Sequence, residues 1–195
     1  TSHILVISDS HDAITIIQTI IEHSKTSYDA LIFCGDGIGG LFACFSKAFT
    51  DSAFAQKLPP VISFVQGNVD PDAVTYKNIE QLTDSTAPFY KTTDLPSTQS
   101  LCVSGMNIFS THGNKYSFDV GIEDALAVSK NFGVDIILYG HSHFHDAQLL
   151  GKVLVLNPGS CSKPRGGQNA TFAELTVSKE KHFANYSFVE VSSLY

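Results

Sequence analysis

A chain of 195 residues is long enough to bury one hydrophobic core without disulfide or metal staples. Its net charge of −7, with only 12 Lys and Arg, argues against an extended nucleic-acid surface, which needs clustered cations. Cys34, Cys44, Cys102 and Cys161 show no tight spacing and read as buried thiols of a reducing compartment, and no apolar run reaches the length of a membrane span.

The opening "TSHILVISDSHD" has no basic leader and turns acidic at once, so no secretory signal is expected and the chain reads as a cytoplasmic globular domain. "HILVIS" (3–8) is near-continuously apolar and β-branched, the pattern of a strand covered on both faces. A helix is predicted over Ala13–Lys25, with Ile16, Ile17, Ile20 and Ile21 on one stripe and Asp12 as its N-cap. "DALIFCG" (29–35) is the next strand, and a second helix runs from Gly39–Gly40 to about residue 56. "VISFVQG" (61–67) follows as a third strand.

Residues 71–100 break the rhythm. "DSTAPFYKTTDLPSTQS" is rich in Ser, Thr and Pro, so this span is expected to be a loop excursion near a cleft. "SLCVSG" and "MNIFSTHG" form a hairpin about Gly105, Met106 and Asn107. A helix over 117–133 starts at Ser117 and stops at Gly133. "VDIILYG" (134–140) and "KVLVLN" (152–157) are strands, and the tail from Ala170 alternates as two antiparallel strands. No repeat or linker divides the chain. The expectation is one α/β domain over 1–195, with two sheets inside, helices outside and function on the loops that follow the strands.

Each strand end carries residues able to hold a cation. They are Asp9 and His11 in "SDSHD", Asp36 in "CGDG", Asn68 and Asp70 in "QGNVD", His112 in "STHGN", and His141 and His143 in "GHSH". Strands ending at one rim would bring these side chains together, and residues i and i+2 of an extended segment point the same way. Carboxylates and imidazoles crowded together repel or go unsatisfied without a metal ion. Taken singly, each motif has a plainer reading as a cap, a turn or a solvated loop; it is the ordered set that points to metal.

"DSH", "GD", "GNVD", "THG", "GHSH" and "NPGS" together resemble the motif series of the calcineurin-like metallophosphoesterase superfamily, and "NPGSCSKPRGG" is similar to its small bacterial and archaeal phosphodiesterase branch. The resemblance implies a four-layer αββα sandwich with two central mixed sheets and a dinuclear divalent-metal centre. Carried over by motif, Asp9, His11 and His143 hold one ion, Asn68, His112 and His141 hold the other, and Asp36 bridges them. Mn is the metal expected, with Fe, Zn, Ni, Co and Mg as alternatives.

Such a pair lowers the pKa of a shared water and neutralises phosphate oxygens for in-line attack on a small aryl- or nucleotide-like phosphodiester. Asn68 could ligate metal and also face the phosphate. His145 has no counterpart in the series and reads as a strand or surface histidine, while His3, His23 and His182 need no function. Arg165 is a candidate phosphate contact, since guanidinium matches phosphate oxygens. Tyr76, Phe89 and Tyr90 either stack on substrate or anchor the excursion.

Two departures stand out. Val69 occupies the place where many superfamily members carry a histidine that assists the leaving group, and Asn114 stands where relatives often have another histidine. A phosphomonoesterase, or a non-catalytic scaffold of the same fold, is the alternative. No membrane partner is expected, and a homo-oligomer is left open.

Overall fold

The computed structural model describes residues 1–24, 26–118, 123–178, 180 and 183–195. Its elements run β1 (Ser2–Ile7), α1 (Ile14–His23), β2 (Ala30–Phe33), α2 (Ile38–Ala48), α3 (Ser52–Ala55), β3 (Val61–Phe64), β4 (Ala73–Lys77) and β5 (Tyr90–Asp94). They continue with β6 (Thr98–Val103), β7 (Met106–Thr111), α4 (Glu123–Phe132), β8 (Ile136–Leu138), β9 (His145–Leu150), β10 (Val153–Pro158), β11 (Thr171–Ser178) and β12 (Phe183–Glu190).

Two five-stranded sheets carry the fold, in orders β12-β11-β1-β2-β3 and β6-β7-β8-β10-β9. β1, β2 and β3 run parallel, with antiparallel β11 and β12 on the β1 side only, while parallel β7, β8 and β10 are flanked on both sides by antiparallel β6 and β9. Parallel strands end at one rim, and this is what gathers their loops.

Alternation along the strands sorts the core into layers. Ile4, Val6, Ile32 and Leu175 of the first sheet pack against Ile108, Ile136, Leu138 and Leu156 of the second. The opposite face of the first sheet, with Leu5, Ile7, Leu31 and Phe33, takes α1, α2 and α3 through Ile17, Ile20, Leu41 and Phe54. On the far side Phe109, Ile137, Tyr139 and Val155 meet Ala125 and Val128 of α4. Helices therefore cover the outer face of each sheet, as the apolar character of the strands requires. No helix of the described residues is long and apolar enough to cross a membrane.

Several local expectations shift. α1 begins at Ile14 with Ala13 at its N-cap and no side-chain cap, because Asp12 Oδ1 instead accepts the backbone N–H of Gly40 at 2.9 Å, pinning the start of α2. The second predicted helix is two, α2 and α3, with Asp51 capping the latter by accepting the Phe54 N–H. The hairpin turns one residue earlier than expected: Val103 pairs with Met106 across Ser104 and Gly105 (φ 46° and 75°), the doubly left-handed pair of a tight two-residue turn. Gly133 stops α4 as expected, and its N–H closes on the Ser129 carbonyl. That helix is expected from Ser117, but Ser117 and Phe118 are not helical and α4 is described from Glu123; α1 ends at His23, and 119–122, Lys25 and His182 lie outside the described residues.

The span 71–100 is not a plain loop. β4 and β5 pair as an antiparallel ribbon from Ala73↔Asp94 to Lys77↔Tyr90. Tyr76 stacks on Phe42 of α2 with centroids 4.4 Å apart, and Phe89 packs on Phe49 at 5.5 Å. Apolar contact with the helix holds a segment whose Ser/Thr content hides its alternation. β9, also unforeseen, pairs antiparallel with β10 and starts at His145.

Candidate metal centre

The loops after β1, β2, β3, β7 and β8 converge, but not by strand alternation. Asp9, His11, Asp36, His141 and His143 all have left-handed backbones, with φ of 52°, 45°, 57°, 70° and 64°. Among the described residues only two other non-glycine positions share that conformation, Asp12 and Ser104. The i, i+2 geometry of an extended segment is therefore replaced by tight left-handed turns, which are costly for L-residues and persist only where surrounding bonds hold them.

Hydrogen bonds from neighbouring loops supply that hold. Asp70 accepts four backbone N–H groups: Asp36 (2.9 Å) and Gly67 (2.8 Å) on Oδ2, Gly37 (2.8 Å) and Ile38 (3.0 Å) on Oδ1. The "NPGSCS" loop grips the others. Ser160 Oγ donates to the Asp9 carbonyl at 2.6 Å, Ser162 Oγ to the Ser10 carbonyl at 2.8 Å, and Asn157 Nδ2 to the Gly140 carbonyl at 2.8 Å. Asp70, Asn157, Ser160 and Ser162 are the residues whose work sequence reasoning missed; the "GNVD" and "NPGS" motifs were the available signal.

Asp9 is fully buried. Its Oδ2 accepts from Ser8 Oγ (2.7 Å) and the His141 N–H (3.0 Å), while Oδ1 has no hydrogen-bond partner. That orphaned oxygen lies 3.4 Å from His143 Nε2, which in turn is 3.1 Å from His11 Nε2. On the other side His112 Nε2 lies 3.1 Å from Asn68 Oδ1 and 3.3 Å from Asp36 Oδ2. The His141 ring stands edge-on to that of His112 at 5.2 Å.

The Nδ1 atoms of His112 and His143 face backbone carbonyls, Cys34 at 2.8 Å and Lys163 at 2.6 Å. A carbonyl only accepts, so Nδ1 carries the hydrogen and each neutral ring turns an Nε2 lone pair inward, as metal-ligating histidines do. In that neutral form the Nε2 lone pairs face carboxylate and amide oxygens, and either a proton on the ring, as in the His112–Asp36 hydrogen bond, or a bound cation satisfies them.

Two groups of donor atoms each fit within 4.8 Å, Asp9 with His11 and His143, and Asp9 with Asp36 and His112. Asp9 belongs to both.

Electrostatics agree with this crowding. Burial pushes the Asp9 carboxyl up to about 6, against the pull of His112. Burial lowers His11 and His143, helped by Lys163 and Arg165 for the first and Arg165 and His11 for the second. Burial opposes protonation of His112 and ionisation of Asp36, yet their mutual hydrogen bond wins, raising the imidazole and lowering the carboxyl; the Val69 N–H on Asp36 Oδ1 (3.0 Å) adds to the latter.

All seven expected ligand positions thus lie around one spot. Arg165 is exposed, its charge felt at His11 and His143, with no side-chain hydrogen bond or ion pair among the described residues. His145 stands apart as a strand residue, its ring 4.8 Å from Phe188. Two clefts flank the centre, one of about 290 Å³ on the Asn68 and Asn114 side, one of about 410 Å³ on the His11 and Val69 side.

A sandwich bearing such a donor set at the ends of its parallel strands is a divalent-metal hydrolase scaffold. A family model for the calcineurin-like phosphoesterase superfamily domain matches residues 3–180, and the chain belongs to that superfamily. It is 26% identical over 180 residues to the probable metallophosphoesterase YsnB of Bacillus subtilis, spanning 91% of this chain and 86% of that one. To phosphodiesterase YfcE of Escherichia coli K12 it is 26% identical over 176 residues, 86% and 84% of the two chains. The fold matches the crystal structure of a predicted phosphoesterase from Streptococcus pneumoniae TIGR4 with a TM-score of 0.67 at 24% identity, covering 98% of this chain and 90% of that one.

Proposed function

We propose that the chain, read as one domain over 1–195, is a dinuclear metal-dependent phosphodiesterase acting on small aryl- or nucleotide-like diesters. The observation that carries this reading is the buried, partnerless Asp9 Oδ1 facing inward-turned imidazole lone pairs.

Asp9, His11 and His143 would hold one ion and Asn68, His112 and His141 the other, with Asp36, whose Oδ2 is turned to His112, placed to serve both. Mixed oxygen and nitrogen donors suit manganese, with iron, zinc, nickel, cobalt and magnesium as competitors. Bound there, the ions supply positive charge for the phosphate oxygens and acidify water near neutral pH.

The protein's own residues do the rest. The Cys34 and Lys163 carbonyls orient the His112 and His143 rings, so neither of these two has to reorient. Asn68 is exposed and neutral, and its Nδ2 is free to donate to a phosphate oxygen while Oδ1 faces the centre. Lys163 and Arg165 add positive potential that draws a phosphate in. Val69 cannot donate a proton, so leaving groups that depart unprotonated are favoured.

The test strips the protein with chelator, reloads it with each metal, and assays bis(4-nitrophenyl) phosphate against 4-nitrophenyl phosphate. Two ions per chain and a preference for the diester are expected. A preference for the monoester would move the assignment to a phosphomonoesterase, and no turnover with any metal would move it to a scaffold.

A further inference from the structure

The loop 67–71 is a ridge between the two clefts. Asn68 lines one and Val69 the other, while Asp70 beneath touches both. The walls differ in chemistry. On the Asn68 side they are polar, with Gln66, Asp72, Thr98, Asn114 and Lys115. On the other side Ile38, Val69, Pro71 and Val74 give an apolar wall, His11 opens it to the centre, and Lys163 stands at its rim with Asp12.

Three features mark the second groove as built for a ligand. Val69, 61% exposed, lines one groove with Pro71 and Val74, so the apolar surface next to Asn68 is shared by three side chains and is not one isolated valine. Val74 comes from β4, so the ribbon docked on α2 contributes a wall to this groove and not only a surface. Lys163 lines the groove from a backbone fixed at both ends, its N–H on Ser160 Oγ (2.7 Å) and its carbonyl on His143 Nδ1 (2.6 Å), which places an exposed cationic side chain within reach of the groove.

We infer that this groove is the binding site for an apolar arm of the diester, with Lys163 countering the phosphoryl charge and the polar cleft receiving the other arm. The inference rests on the phosphodiesterase reading and deepens it to an asymmetric substrate: one aryl or alkyl ester arm, one hydroxylated or nucleoside-like arm. An apolar arm leaves water for Val69, Pro71 and Val74 above the buried Ile38, whereas a polar arm would leave its hydrogen bonds unmade there.

The test uses non-hydrolysable probes, so that binding is read without turnover. Calorimetric titration of the manganese-loaded protein with phenylphosphonate and methylphosphonate is expected to give about tenfold tighter binding of the former. In Val69→Ser/Val74→Ser that ratio falls to about twofold or less while methylphosphonate affinity is kept; Val69→Ser alone, at an exposed position, reduces it by about threefold without risk to the fold. Lys163→Gln weakens both probes alike. A ratio near one in the unmutated protein, or one that survives both serine substitutions, overturns the inference and leaves the phosphodiesterase reading intact. No methylphosphonate binding at millimolar concentration overturns both.

Discussion

The carboxylate of Asp70 lies under the backbone of Asp36, taking its N–H on Oδ2 at 2.9 Å together with three neighbouring amides. Asp36 has a φ of 57°, and this bond array keeps the turn in place. With Val69 in the following-histidine position, the acidic residue of "GNVD" orients a loop instead of an imidazole. Asp70→Asn keeps the shape but has one acceptor oxygen, and its NH2 opposes two N–H donors. We expect a loss of about 2–4 kcal/mol in urea unfolding. Metal content should fall from two ions toward one in protein that is still folded by circular dichroism. Full metal content at unchanged stability would refute the role.

Much of the fold was legible in the sequence. The strand runs, the β6–β7 and β11–β12 hairpins and the convergence of the motif loops could be read because each motif sits directly beyond an apolar run such as "ILVIS" or "IILYG". What could not be read depends on partners far along the chain. Asp12 looks like a cap for the helix beside it, yet it serves Gly40. Asp70 looks idle until the β2 loop is placed above it. The ribbon at 73–94 hides behind Ser and Thr because Phe42, which holds it, is thirty residues upstream. Left-handed turns at Asp9 and His143 leave no periodic signature at all.

The Asp9 carboxyl gives a pH signature in metal-free protein. Its pKa is raised from 3.8 to about 6, so the folded state binds a proton more readily than the unfolded one. The stability this contributes is present below pH 3.8 and is lost as pH rises to about 6, a change of roughly 3 kcal/mol. In chelator, Asp9→Asn should therefore gain on the unmutated protein as pH climbs from 4 to 6 and then hold a constant lead. Manganese should reverse the order, because only the carboxylate can use the charge. Parallel stability curves for the two proteins across that range would argue against a buried, unpaired Asp9.

Gly67 is there for space. A Cβ at that position would fall onto the Asp36 N and Oδ1 atoms and within 2.7 Å of Asp36 Cγ. Gly67→Ala should displace the Asp36 side chain from His112. The cost is about 1–3 kcal/mol of stability with a disproportionate loss of metal-dependent turnover. Thermal melting with and without manganese separates the two: the metal-induced rise in Tm should shrink more than the metal-free Tm falls.

Val69 makes the last prediction. Its backbone serves the centre by donating to Asp36 Oδ1 at 3.0 Å, but its side chain is exposed and has no proton to give. Without a general acid, the ester oxygen must carry off its developing charge unaided, so the rate should fall steeply as the leaving alcohol becomes more basic. Aryl diesters should then turn over well and alkyl diesters poorly, with a strong dependence on leaving-group pKa across a substituted phenyl series. Val69→His restores a donor on an exposed stem without touching the backbone bond to Asp36. It should raise alkyl turnover by about tenfold or more and flatten the dependence, while aryl turnover changes little. A wild-type series that is flat when chemistry is rate-limiting would mean that some other group protonates the leaving oxygen. Lys163, at the rim of the same groove, would then be the first residue to substitute.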